Sequence, residues 1–128
     1  PLSMVAPVAP VGGLHQLAAL AAAEVRQVLV AYRDRDAERA YQVWKDDVVL
    51  DEAYTGYFRQ LLTYMMEDPR NITPCTHLLF MAKNIERIGD HATNIAENVW
   101  FQVTGEPLDK QRSKRDLTSS PETTKLGE

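Results

Sequence analysis

The stretch Met66-Glu-Asp-Pro-Arg-Asn-Ile-Thr-Pro-Cys75 decides the fold. Proline fixes φ and has no N–H, so Asp68-Pro69-Arg70-Asn71 ends any helix arriving from upstream. Thr73 followed by Pro74 restarts one, with a hydroxyl cap and then proline where its missing N–H does no harm. Upstream, a helical pattern reaches back to about Ala37 without a proline. Its one glycine, Gly56, costs about 1 kcal/mol relative to alanine. Downstream the pattern continues to about Val103, and Gly105 stops it. Each helix is about 30 residues, or roughly 45 Å at 1.5 Å per residue. A short break between two such helices makes them antiparallel neighbours.

A third pattern precedes the hairpin, from about Leu14 to Arg33. Leu14, Leu17, Ala18, Ala21, Val25, Val28, Leu29 and Tyr32 recur there at spacings of three and four. Asp34 or Asp36 stands where the next helix needs a cap. No stretch alternates with period two in the manner of a strand. The expectation is all-α: an antiparallel up-down three-helix bundle over residues 14–104. Residues 1–13, with three prolines and a Gly-Gly pair, read as a linker or truncated end. Residues 105–128, rich in charge, Ser and Thr, read as a disordered polar tail.

Within the second helix, alternating steps of four and three pick out Ala40, Trp44, Asp47, Asp51, Tyr54, Phe58, Leu61 and Met65. This is a bundle seam with two aspartates in its middle. The alternative is a seam that drifts to Val48, Val49 and Leu50 and turns both aspartates to water. In the third helix, one broad arc collects Leu78, Met81, Ala82, Ile85, Ile88, Gly89, Ala92, Ile95, Ala96, Val99 and Val103. An acidic row, Glu86, Asp90 and Glu97, borders that arc. The small residues Gly89 and alanine let a neighbouring helix approach beside it.

The hairpin register sets Asp51 level with Asp90 and Asp47 level with Asn94, and Glu86 lies one turn from Asp90 on the same face. Carboxylates that close repel or take up protons unless a cation joins them. With a hard or borderline cation they are oxygen ligands. Asp47, Asp51, Glu86 and Asp90 are therefore the candidate metal ligands. A di-metal carboxylate enzyme is the rival reading, but such bundles use Glu-x-x-His and no glutamate here has histidine three residues on.

His91 points about 100° away from the acidic row, and His15 and His77 lack acidic surroundings. Arg87, His91, Asn94 and Asn98 form a polar stripe, open either to a partner or to water. Cys75 lies in the first turn of its helix and reads as structural. Neither a Gly-rich phosphate loop nor a Gly-x-Ser-x-Gly nucleophile motif is present.

The bulk properties set outer bounds. The chain has 128 residues, 45% hydrophobic and 25% charged, which suits one globular domain. A net charge of −4 argues against nucleic acid as a partner. The single cysteine excludes an internal disulfide and a cysteine metal site. No apolar run approaches the roughly 20 residues of a membrane span. The longest, Leu14 to Val30, is interrupted by His15, Gln16, Glu24, Arg26 and Gln27. No signal-peptide pattern opens the chain, so the expected location is cytoplasmic.

Three segments carry a family resemblance. They are Arg59-Gln-Leu-Leu-Thr-Tyr-Met-Met-Glu-Asp-Pro-Arg70, Cys75-Thr-His-Leu-Leu-Phe80, and Asn84-Ile-Glu-Arg-Ile-Gly-Asp-His-Ala-Thr-Asn-Ile-Ala-Glu97. Over about residues 14–104 the chain resembles the PhoU family, regulators of bacterial phosphate-specific transport. The resemblance implies three-helix repeats bearing (Glu/Asp)-x-x-x-Asp motifs, which in some members bind iron or zinc clusters. Asp47-x-x-x-Asp51 and Glu86-x-x-x-Asp90 match those motifs. It further implies a non-catalytic adaptor between the phosphate ABC transporter, through its ATPase subunit, and a membrane sensor histidine kinase. That adaptor represses the phosphate-starvation regulon and meets the membrane only through its partners. Family members usually hold two repeats. This chain resembles the C-terminal one alone, which implies a fragment of a two-repeat protein or a homodimer.

Overall fold

The computed structural model describes residues 9–108. Three helices, α1 (Gly12–Asp34), α2 (Ala37–Glu67) and α3 (Ile72–Thr104), pack pairwise as an antiparallel bundle, and a 3-10 turn, Pro69–Asn71, joins the last two. No strand occurs among the described residues. Among them, too, no helix is long and apolar enough to cross a membrane.

Helix α1 starts inside the Gly-Gly pair rather than after it. A Cβ on Gly13 would lie 2.3 Å from Tyr57 Cδ1, so the missing side chain lets α1 begin directly against α2. Tyr57 is buried there and donates its hydroxyl to the Pro10 carbonyl at 2.6 Å. The linker expectation over residues 1–8 lies outside the described residues.

The α1–α2 corner turns on Arg35, in the left-handed region with φ 51° and ψ 46°, whose N–H returns to Ala31 O and Tyr32 O. Asp36, not Asp34, caps α2, accepting from the Arg39 N–H at 3.0 Å. Asp34 instead pairs with Arg33.

At the hairpin tip, Asp68 accepts from the Arg70 N–H at 2.9 Å and pairs with its guanidinium. The Asn71 N–H returns to Asp68 O at 2.8 Å, so the 3-10 turn runs straight into α3. Helix α3 therefore starts at Ile72, ahead of the expected Thr73 cap. Thr73 is exposed, while Pro74 still falls in the first turn, where a missing N–H costs nothing. Buried Asn71 donates its Nδ2 to Tyr64 O at 2.9 Å, sealing the end of α2 instead of capping α3.

Gly105, at φ 75°, ends α3 by returning its N–H to Phe101 O at 2.8 Å. The chain then folds back, and Leu108 is only 1% exposed in the core. Leu108 falls within residues 105–128, the stretch expected to form a disordered polar tail. The tail expectation over residues 109–128 lies outside the described residues.

The core falls into two halves. One holds Leu17 and Ala21 of α1, Leu50, Tyr57 and Leu61 of α2, and Cys75 and Ala82 of α3. The other holds Val28 and Ala31, then Ala40, Val43 and Trp44, then Ala92, Ala96 and Val99, with Leu108. Between the halves each helix contributes one buried seam position without an apolar side chain: Glu24, Asp47 and Gly89. A polar layer thus crosses the bundle, and the candidate site grows from it.

Two expected seam assignments shift. Leu50 and Tyr57 are buried, whereas Phe58 is 37% exposed and Val49 48%. On α3, Met81, Ile88, Ile95 and Val103 lie on an exposed border of the apolar arc.

Candidate functional site

Asp47 occupies a seam position and is buried, Asp51 is half-buried one turn on, and Asp90 approaches from α3 at the exposed edge. One carboxylate oxygen from each lies within 4.8 Å of the others. Gly89 permits this approach. A Cβ there would lie 2.4 Å from Leu50 Cδ2, 2.9 Å from Asp47 Oδ1 and 3.0 Å from Glu24 Oε2. Asp47 is therefore set against Gly89 and Asp90, not against Asn94, which is exposed.

Glu86 stands at the rim. It accepts from Lys83 Nζ at 2.7 Å, and that ammonium also lies 5.4 Å above the Tyr54 ring centre. The hydrogen bond to Glu86 and its charge push the Lys83 pKa up. Glu86 falls outside the group of three closest oxygens but hydrogen-bonds to Asp51. Burial first, then the Asp47 charge, the Glu86 hydrogen bond and charge, and Asp90 raise the Asp51 pKa to about 7.

Glu24 of α1 is the site residue that sequence reading missed. It is 7% exposed, and neither side-chain oxygen has a hydrogen-bond donor. Burial pushes its pKa to about 9, aided by Asp47 and then by the charges of Asp51 and Asp90. Five carboxylates on three helices therefore interact as one row. The signal was present: Leu17, Ala21, Glu24, Val28 and Ala31 follow the 4-3-4-3 steps of a seam. Taken only as a break in an apolar run, Glu24 hid its place in that series.

Other expected candidates fall elsewhere. Glu97 leaves the acidic row to accept from Trp44 Nε1 at 3.3 Å. His15, His77 and His91 are exposed, as is the stripe Arg87, Asn94 and Asn98. Cys75 is fully buried and burial raises its thiol pKa, the opposite of an activated nucleophile.

The residues present fit a cation. They offer oxygen donors only, which suits a hard or borderline divalent ion. Buried Glu24 oxygens without donors supply charge, and the absent Gly89 side chain lets α3 lie close against them. Asp47, Asp51 and Asp90 would hold the ion, with Glu86 beside them.

Fold and site together define a class: an all-α bundle whose core is interrupted by an acidic layer contributed by all three helices. The family model described as "PhoU domain" matches residues 14–99, and the chain belongs to the PhoU family. It is 56% identical over 108 residues to a phosphate-specific transport system accessory protein PhoU homolog of Rhizobium meliloti, covering 84% of this chain and 46% of that protein. Identity to the homolog so named in Xylella fastidiosa (strain 9a5c) is 54% over 119 residues, covering 93% of this chain and 50% of that protein. Against the Escherichia coli K12 accessory protein PhoU it is 42% over 82 residues, covering 64% of this chain and 34% of that protein. The chain spans about half the length of the first two relatives. No solved structure gives a significant match.

Proposed function

We propose that this chain is a non-catalytic regulatory unit of phosphate transport, with a divalent cation held on its acidic layer. In this reading it acts in the cytoplasm as an adaptor between the ATPase subunit of a phosphate ABC transporter and a sensor histidine kinase, repressing phosphate-starvation genes when phosphate is plentiful. The ligands are Asp47, Asp51, Glu86 and Asp90, and iron or zinc is the expected metal. The observation that carries the phosphate assignment is the 56% identity to a relative named as a phosphate-specific transport accessory protein. The cation assignment is supported by three aspartate oxygens within 4.8 Å of one another.

Pairing with a second copy, or with a second repeat, is supported by apolar side chains left in water. Leu29 of α1 is 54% exposed and Ile88 of α3 is 44% exposed. The test of function is complementation. In a strain lacking its own PhoU protein, expression of this chain should restore repression of a phosphate-starvation reporter in high phosphate. The double variant Asp51→Asn/Asp90→Asn should leave the reporter derepressed at equal protein level. Full repression by that variant would remove the cation from the regulatory role.

A further inference from the structure

The four carboxylates of the proposed site lie on α2 and α3 only, which leaves α1 without a part in cation binding. Glu24 changes that. It projects from the middle of α1 into the layer between the two core halves, 7% exposed, with no hydrogen-bond donor at either oxygen. A carboxylate in such a position ordinarily finds a partner, because a buried polar group left unmatched costs free energy. The usual answers, an arginine, a lysine or backbone N–H groups, are not what Glu24 faces. Its Oε2 lies 3.0 Å from the point where a Gly89 Cβ would be, and Asp47 Oδ1 lies 2.9 Å from that same point. The two carboxylates therefore converge on the side of α3 where Gly89 has no side chain to hold them apart.

A groove of about 380 Å³ between α1 and α2 is lined by Leu20, Glu24, Gln27, Val43, Asp46 and Leu50. Part of the Glu24 side chain faces that groove while its two oxygens stay buried, and Asp51 and Asp90 flank Asp47 from α2 and α3. Asp47, buried between them, is placed to share its two oxygens between the ends of the row. Carboxylates do this readily for hard and borderline cations.

We propose that Glu24 is a cation ligand supplied by α1, working with Asp47, so that a bound divalent cation ties all three helices together instead of only α2 and α3. The inference rests on the cation reading of the acidic layer. It adds a ligand, a third helix and a mechanical consequence: cation occupancy governs how firmly α1 is held to the α2–α3 hairpin.

Mn²⁺ titration calorimetry combined with hydrogen exchange tests this on the full chain, comparing the unaltered protein, Glu24→Gln and Asp51→Asn/Asp90→Asn. Glutamine keeps the size of the side chain and its amide can donate to Asp47, so a purely structural role survives the change. A ligand role does not. Glu24→Gln is expected to weaken Mn²⁺ binding about tenfold or more. It should also abolish the Mn²⁺-dependent slowing of exchange in α1, while slowing in α2 and α3 persists. If Glu24→Gln fails to give a cooperative melt, Glu24→Met makes the same comparison with an apolar side chain of similar length.

Unchanged Mn²⁺ affinity and unchanged α1 protection in the Glu24 variant, alongside lost binding in the double aspartate variant, would overturn the role of Glu24 and leave the cation site standing. Absence of Mn²⁺ binding by the unaltered chain would overturn both.

Discussion

Glu24 of α1 and Asp47 of α2 bring two buried carboxylates together in the middle of the bundle, and neither Glu24 oxygen has a donor. Such a pair cannot be fully ionised without cost, so in the metal-free protein it holds a proton. Burial, then the neighbouring Asp47 carboxylate, raise the Glu24 pKa from 4.5 to about 9, and Asp51 follows from 3.8 to about 7. The stability consequence has a definite sign. Between the unfolded and folded pKa values the folded chain keeps a proton that the unfolded chain has lost, so stability falls as pH rises. Asp34 and Asp68, whose pKa values are lowered by Arg33 and Arg70, act oppositely but finish titrating in more acidic solution. Chelator-treated protein should therefore melt higher at about pH 5.5 than at about pH 8.5. A melting temperature that is level or rises over that interval contradicts the protonated layer.

Gly89 should tolerate no side chain. Alanine would gain about 1 kcal/mol in helix propensity, but its Cβ would meet Leu50 at 2.4 Å and Asp47 at 2.9 Å. Overpacking of this kind typically costs about 1–3 kcal/mol. Because the obstructing atoms belong to buried side chains on α2, relief requires α3 to move away from it. Gly89→Ala is expected to lose up to about 2 kcal/mol net in denaturant unfolding, and to weaken Mn²⁺ binding. Stabilisation by this substitution would mean the α2–α3 approach is looser than the structure has it.

The hairpin was legible because its signals are local: Pro69 breaks a helix wherever it lies, and long periodic runs on both sides leave little choice. The meeting of Asp51 with Asp90 followed from that register. Three things were hidden for physical reasons. Glu24 belongs to a seam that becomes visible only when a charged residue is allowed to count as a seam position, and apolar periodicity passes over it. Asn71 displaced Thr73 at the start of α3 because the 3-10 turn spends its side chain on the end of α2, a tertiary use that cap preferences do not encode. Leu108 escaped notice because one leucine among charged residues carries no periodic signal.

Leu108 makes a separate prediction. It is 1% exposed and joins Val28, Trp44 and Val99 beyond the last turn of α3. Truncating a buried leucine costs about 2–5 kcal/mol, and its place beyond the last turn of α3, outside any helix, allows partial collapse, which favours the low end. Leu108→Ala should lower unfolding free energy by about 2 kcal/mol. A loss well under 1 kcal/mol would show that the chain after Gly105 contributes little to the fold.

The cation reading predicts a reversal at Asp51. In metal-free protein at about pH 8.5, the ionised Asp51 carboxylate faces Asp47, Glu86 and Asp90, and the Lys83 ammonium at the rim pairs with Glu86 rather than with Asp51. Asp51→Asn removes one member of that repulsion, so the variant should melt higher than the unaltered chain. Saturating Mn²⁺ inverts the order. A ligand that binds only the folded state stabilises it by about 2.7 kcal/mol at a concentration one hundred times its Kd, and a weakened site forfeits much of that gain. With Mn²⁺ the unaltered chain should therefore melt above Asp51→Asn. Electrostatic relief alone gives the first half of this pattern without the second. A loss of packing gives a lower melt in both conditions. Crossing of the two proteins between chelator and Mn²⁺ is thus specific to carboxylates that repel one another when empty and converge on a cation when filled.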